Sequence, residues 1–176
     1  MKYRRGNEMK KILNVFPERC TACRVCELAC SKRHEGTFDP DYSRIKPEKS
    51  RSFFVPFTCF QCEDAPCARV CPSQAIHRSE DTTTVWVDKE KCVGCKLCML
   101  ACPFGMIVVV AEKGIAIKCD LCEGDPECVK YCIPEALKFE EPSEDVRLRM
   151  EKILQFPSFL SSDRGANHFP KRKKEG

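Results

Sequence analysis

The stretch Cys92-Val-Gly-Cys95-Lys-Leu-Cys98-Met-Leu-Ala-Cys102-Pro103 has the spacing C-x2-C-x2-C-x3-C-P. Three cysteines at two-residue intervals wrap one iron–sulfur cube, and a fourth, set off by three residues ahead of a proline, points at a second cube. One such run is therefore half of a two-cluster unit. The chain carries four halves. The second is Cys59-x2-Cys62-x4-Cys67-x3-Cys71-Pro72. The first, Cys20-x2-Cys23-x2-Cys26-x3-Cys30, is followed by Ser31 where proline is usual. The fourth, Cys119-x2-Cys122-x5-Cys128-x3-Cys132, has its proline displaced to Pro134. All sixteen cysteines fall in these runs, and at four thiolates each they predict four [4Fe–4S] clusters.

Other uses of cysteine fit poorly. Structural zinc takes paired C-x2-C knuckles and has no use for a third cysteine two residues on. A disulfide scaffold belongs to a secreted chain. Here Arg4-Arg5 near the start is followed by no apolar segment and no small-residue cleavage site, so no export signal is expected. No apolar stretch approaches ~18 residues, so no membrane span is expected either. Thiolate ligands and oxygen-labile clusters fit a reducing cytoplasm and an anaerobic setting.

The chain has 176 residues and a hydrophobic fraction of 43%, but that fraction includes the sixteen cysteines. Without them the apolar inventory is thin, so the clusters are expected to serve as the core. The formal charge of +4 counts every cysteine as neutral. Each oxidised cube with four thiolates carries about −2, so four bring the holoprotein to about −4. The Lys/Arg excess then reads as counter-charge, and a nucleic-acid partner is not expected.

Between the runs, short strands alternate with turns. Ile12–Phe16 is a strand candidate, Ser43–Lys46 a second, and Phe53–Phe57 an edge or extended segment because of Pro56. Ser31–Pro40 reads as a polar loop. Ser73–Ile76 reads as a short helical turn. Ile76–Arg78 and Val85–Val87 flank a polar turn as a hairpin, and Met106–Val110 and Gly114–Ile117 form another. Cluster loop, hairpin, cluster loop is the plan of a bacterial ferredoxin. The alternation at Leu137–Glu140 suits pairing with the strand at 12–16.

That pairing favours nesting, giving an α+β fold of two bacterial-ferredoxin-like units. The outer unit is 12–58 with 104–141, the inner 59–103, and a tail follows at 142–176. Cys20, Cys23, Cys26 and Cys132 would then hold one cube, and Cys119, Cys122, Cys128 and Cys30 its neighbour. Cys59, Cys62, Cys67 and Cys102 would hold a third, and Cys92, Cys95, Cys98 and Cys71 the fourth. A sequential pairing of first with second and third with fourth runs is the alternative. In the tail, Ser143 caps an expected helix with Val146, Met150, Ile153 and Leu154 on one face, before the basic run Lys171–Lys174.

His34, His77 and His168 have no metal-ligand spacing and are expected at the surface. Phe53, Phe54, Phe57, Phe60 and Trp86 are expected to shield cubes from water. There is no phosphate loop, nucleophile elbow or HExxH motif. Every iron has a thiolate available, so no open catalytic iron is expected and the chain reads as no stand-alone enzyme.

The runs at 59–72 and 92–103 resemble those of four-cluster electron-transfer subunits. Such subunits accompany dimethyl sulfoxide reductase, formate dehydrogenase, formate hydrogenlyase, carbon monoxide dehydrogenase–hydrogenase and tungsten aldehyde oxidoreductase systems. The stretch Cys20–Gly36 looks closest to the carbon-monoxide and aldehyde-oxidoreductase branches, and Ser31 fits that likeness. The resemblance spans roughly residues 11–140 and implies nested ligation. It also implies a catalytic oxidoreductase subunit as one partner and a redox acceptor, a ferredoxin or another iron–sulfur subunit, as the other. A free polyferredoxin is the alternative; a diffusing carrier tends to a strongly acidic surface, which the many Lys and Arg residues disfavour. Iron chelation is expected to abolish the cooperative melt, and native-like circular dichroism with a cooperative melt after iron removal would refute the cluster-as-core reading.

Overall fold

The computed structural model describes residues 11–50, 53–79 and 84–141. The expected helix at 143–154, the basic tail and His168 lie outside the described residues. The described residues form eight strands in four antiparallel pairs, with short helices between them. β1 (Ile12–Val15) pairs with β8 (Leu137–Glu140), placing Val15 opposite Leu137. β2 (Ile45–Ser50) pairs with β3 (Phe53–Thr58), β4 (Ile76–Arg78) with β5 (Val85–Val87), and β6 (Ile107–Val110) with β7 (Ile115–Lys118). None of the described helices is long and apolar enough to cross a membrane.

The α-helices among the described residues are α1 (Val25–Glu35), α2 (Pro66–Arg69), α3 (Leu97–Ala101) and α4 (Glu127–Lys130), with three short 3-10 turns beside them. Each starts one residue before the third cysteine of its run. Helices α2, α3 and α4 are a single turn, whereas α1 has 11 residues. For α2 and α3, proline explains the difference. Pro72 and Pro103 push the cysteine before them away from helical ψ, and Cys102 is extended at φ −78°, ψ 111°. Ser31 imposes no such stop, so α1 runs on until Gly36, whose left-handed backbone caps it. The expected loop at Ser31–Pro40 is therefore helical over its first five residues. Its buried stripe, Cys26, Glu27, Cys30 and Ser31, has helical spacing but no aliphatic members, which hides it from a hydropathy pattern.

Two further differences from expectation have local causes. β2 begins at Ile45 and extends through Pro47, which sits opposite Pro56. A pair position that exchanges no N–H···O bonds can hold both prolines. The segment at 73–75 is a turn without a helix, and β4 follows it.

The aliphatic core falls into three clusters. Leu13, Ile45, Leu121 and Leu137 pack with Cys26, Cys30 and Cys128. Ile76, Val85, Ile107, Val109 and Ala116 pack with Cys67 and Cys98, so β6 and β7 share a core with β4 and β5. Between them Val55 and Phe57 gather Phe53, Phe60, Phe104 and Met106. Trp86 is not part of any of these clusters: it is 39% exposed, with its ring against His77 at 4.1 Å. Its position on the outward face of a short two-stranded ribbon turns it away from the cysteines.

Candidate metal centres

The cysteine loops repeat in backbone as well as in spacing. The residue before the second cysteine of each run has a left-handed backbone: Ala22 at φ 58°, Gln61 at 51°, Gly94 at 65° and Leu121 at 59°. A second left-handed residue precedes the helix in the first three runs, at Arg24, Ala65 and Lys96. These reversals curl each loop so that three thiols converge. After the fourth cysteine, Gln74, Gly105 and Glu135 are left-handed as well, and their N–H groups return to the carbonyls of Cys71, Cys102 and Cys132 at 3.2, 3.3 and 2.9 Å. The first run lacks this last turn because α1 continues through it.

The thiols gather in four groups, each drawing its fourth member from a different run. Cys59, Cys62, Cys67 and Cys102 line one cavity. Cys71, Cys92, Cys95 and Cys98 line another. Cys132 lies close enough to Cys20 and Cys26 to repel their thiolates, and Cys30 does the same to Cys122 and Cys128. Neighbouring groups adjoin: Cys26 and Cys128 share one core, Cys67 and Cys98 another, and Gln61 of the second run reaches the Cys119 carbonyl. The four groups thus stand in single file. Cys23 and Cys95, the two exposed cysteines, belong to the two groups at its ends.

Burial, then like charge, works against the thiolates. The Cys26 thiol is pushed up to about 12 by burial, and then by Glu27 and the thiols of Cys20, Cys23 and Cys132. Burial also pushes Cys62 and Cys119 up to about 12 and Cys98 to about 11. Four ionised thiolates cannot share such a cavity without a positively charged core. An iron–sulfur cube fits this donor set of thiols backed by hydrocarbon such as Phe60, Phe104 and Ile107.

Backbone N–H groups already point at several sulfurs. Arg44 donates to Cys30 Sγ and Ala116 to Cys92 Sγ, both at 3.3 Å, while Gln61 and Met106 donate to Cys59 and Cys102 Sγ at 3.4 Å. At Cys71 slight burial is outweighed by the Ser73 hydroxyl and the N–H groups of Ile76, Ala75 and Ser73, which hold the thiol below its ordinary value. Such donors favour a ligating thiolate.

His34 departs from its expected surface position. Its side chain is 11% exposed, with Nε2 at 3.5 Å from Asp120 Oδ1, 3.4 Å from Arg44 Nη1 and 3.6 Å from Cys122 Sγ. Burial, and then Arg44, lower its pKa to about 4, so it is a neutral hydrogen-bonding partner at pH 7 and not an ion-pair member. The ion pair is Arg44 with Asp120, at 2.6 Å. Burial alone would raise Asp120, but Arg44, His34 and the Cys122 N–H hold its carboxyl below the usual range. This buried network beside Cys122 carries no spacing signal, since its members come from residues 34, 44 and 120. Only the position of Asp120 directly after Cys119 hinted at it.

The chain matches the 4Fe–4S dicluster domain family over residues 50–142. It is 44% identical to the polyferredoxin-like subunit of an aliphatic sulfonate oxidoreductase of Pyrococcus furiosus, covering 67% of this chain and 69% of that protein. It is 40% identical to the putative electron transport protein YsaA of Escherichia coli, covering 82% and 98%. It is 36% identical to the electron transport protein HydN of Escherichia coli, covering 80% and 97%.

The curl of the third run has a sharp steric requirement. A Cβ at Gly94 would lie 2.2 Å from the Gly114 carbonyl oxygen, whereas one at Gly105 meets nothing within 4 Å. Gly105→Ala is expected to cost only the left-handed penalty of about 1–2 kcal/mol. Gly94→Ala must also displace the β6–β7 turn, so its melting temperature should fall further and its iron should leave faster. Equal melts and equal iron retention would contradict this geometry.

Proposed function

The chain belongs to the 4Fe–4S dicluster domain family, and from that membership we propose that it is a non-catalytic electron-transfer subunit, relaying single electrons through four [4Fe–4S] clusters. Cys20, Cys23, Cys26 and Cys132 hold the first cluster, and Cys119, Cys122, Cys128 and Cys30 the next. Cys59, Cys62, Cys67 and Cys102 hold the third, and Cys92, Cys95, Cys98 and Cys71 the last. The observation that carries the reading is the single file of four all-thiol groups with an exposed cysteine at each end. Such a file suits entry of an electron at one end and exit at the other, across a distance that one cluster does not span. When bound, the clusters supply one-electron redox chemistry. The chain's own residues hold the sulfurs, exclude water with Phe60 and Phe104, and donate backbone N–H groups to the thiolates.

The arrangement proposed is nested. The inner ferredoxin-like unit takes the second and third runs, 59–103, and the packing of β6 and β7 on β4 and β5 supports extending it to Lys118. The outer unit takes the first and fourth runs, 12–58 with 104–141, or 119–141 once β6 and β7 go to the inner unit, and its support is the β1–β8 pair and the core around Leu13 and Leu137. One partner is a catalytic oxidoreductase subunit, of the molybdenum or tungsten pterin type or of the carbon monoxide dehydrogenase–hydrogenase type. The other is a redox acceptor. The relative from Pyrococcus furiosus, named as a subunit, supports a fixed place in a complex. The Escherichia coli relatives, named as electron transport proteins, favour the second reading, a free polyferredoxin that diffuses between enzymes.

Anaerobic native purification in moderate salt, with mass spectrometry of what stays bound, separates these readings. Stoichiometric recovery of a large oxidoreductase subunit is expected; a lone holo-chain that exchanges electrons with several donors would establish the mobile carrier. Cys132→Ser tests the nesting. It should expose Cys20 and Cys26 to alkylation while Cys92 stays protected, and alkylation confined to third-run cysteines would overturn the arrangement.

A further inference from the structure

Three charged side chains among the described residues are deeply buried: Glu27, Arg44 and Lys118. Two of them are ion-paired, Glu27 with Arg24 and Arg44 with Asp120. Lys118, at the end of β7 and 3% exposed, is different. Its Nζ donates to the carbonyl of Cys119 at 2.7 Å, to Gln61 Oε1 at 3.4 Å and to the carbonyl of Val85. Gln61 Oε1 is committed as an acceptor, since it also takes the Val85 N–H at 2.9 Å. Three acceptors therefore meet the three N–H bonds of an ammonium. All three acceptors are neutral. A buried charge with only neutral partners is costly unless a counter-charge lies near.

The counter-charge is in the cysteine groups. Lys118 lines the cavity of Cys59, Cys62, Cys67 and Cys102, and it precedes Cys119 in the chain. Its charge favours the thiolates of both Cys67 and Cys119. Gln61 fastens the same junction, donating from Nε2 to the Cys119 carbonyl at 2.8 Å. The junction lies in the middle of the file, where the loop of the second run adjoins the start of the fourth.

We propose that Lys118 is a counter-ion shared by the two middle iron–sulfur centres, holding both at higher reduction potentials than their thiolate charge alone would give. This rests on the ligation read above. Reduction of a centre adds one electron and one negative charge, with no bond made or broken, and a fixed cation beside it stabilises the reduced form. Lys118 lines the cavity of the second-run group and not that of Cys71, Cys92, Cys95 and Cys98. Lys118 thereby acts through the cysteines as a positioning charge and keeps the middle of the relay from becoming a barrier to the electron.

The test compares full-length holoprotein with its Lys118→Met and Lys118→Arg variants, purified anaerobically. Iron and sulfide are counted first; wild-type protein that does not load about sixteen irons would fail the cluster assignment itself, independently of Lys118. Redox titration followed by electron paramagnetic resonance then reads the four midpoints. In Lys118→Met, two centres are expected to become at least about tenfold harder to reduce, 59 mV each for one electron, with the other two unmoved. Lys118→Arg should keep wild-type midpoints. Four unchanged midpoints in iron-replete Lys118→Met would overturn the proposal, as would the same shift in both variants. Should Lys118→Met lose iron, normal loading by Lys118→Arg supports the counter-ion role and equal loss in both overturns it.

Discussion

Thiols crowded into a dry cavity repel one another as soon as they ionise, and the structure depends on what relieves that repulsion. Burial and neighbouring sulfurs push the thiols of Cys26, Cys62, Cys98 and Cys119 far up, so that a chain without metal holds them protonated and inert. A cationic iron core reverses the balance and turns four mutually hostile groups into one bonded unit. The cysteines are also members of the two larger aliphatic cores, beside Leu137 in one and Ile107 in the other. Metal ligation and hydrophobic packing are in this way the same event, and the thin apolar inventory is sufficient because each cube stands where aliphatic side chains would otherwise be needed.

The backbone bears part of the cost of that arrangement. Ala22, Gln61 and Leu121 adopt left-handed conformations that L-residues disfavour by about 1–2 kcal/mol each. Glycine appears at only one of these equivalent positions, Gly94, where the Gly114 carbonyl passes too close for any side chain. At the others the curl is held by the ligands it brings together, so strain persists where the site over-determines it. The four runs thus share this one reversal where they do not share a residue.

What distinguishes the four groups lies in the polar groups set between and around them. Arg44, Asp120 and His34 close over Cys122, Glu27 carries a buried carboxylate beside Cys26, and Lys118 stands between the second and fourth runs. In a low dielectric, groups this close to a cluster act strongly on its charge. Four chemically identical thiol sets can therefore differ in the ease with which each takes an electron, which is what gives a relay a direction.

The sequence alone determined the cofactor class, the four runs and the two hairpins β4–β5 and β6–β7, because these are short-range properties. Cysteine spacing is a statement about one loop, and the β-branched stretches at 76–78, 85–87, 107–110 and 115–118 are separated by only a few residues each. The alternation at 137–140 suited a partner, and the structure provides it in Ile12–Val15, at the far end of the described chain. Only the tertiary structure decided the rest. It extended α1 along a buried face of Cys, Glu and Ser that no hydropathy pattern marks, and it turned Trp86 outward. It drew His34 under Arg44 and Asp120 and sealed Lys118 among three carbonyl-type oxygens. Histidine, lysine and tryptophan read identically in a string of letters whether they face water or a cluster; their surroundings are assembled from residues tens of positions apart, and that assembly is settled by packing.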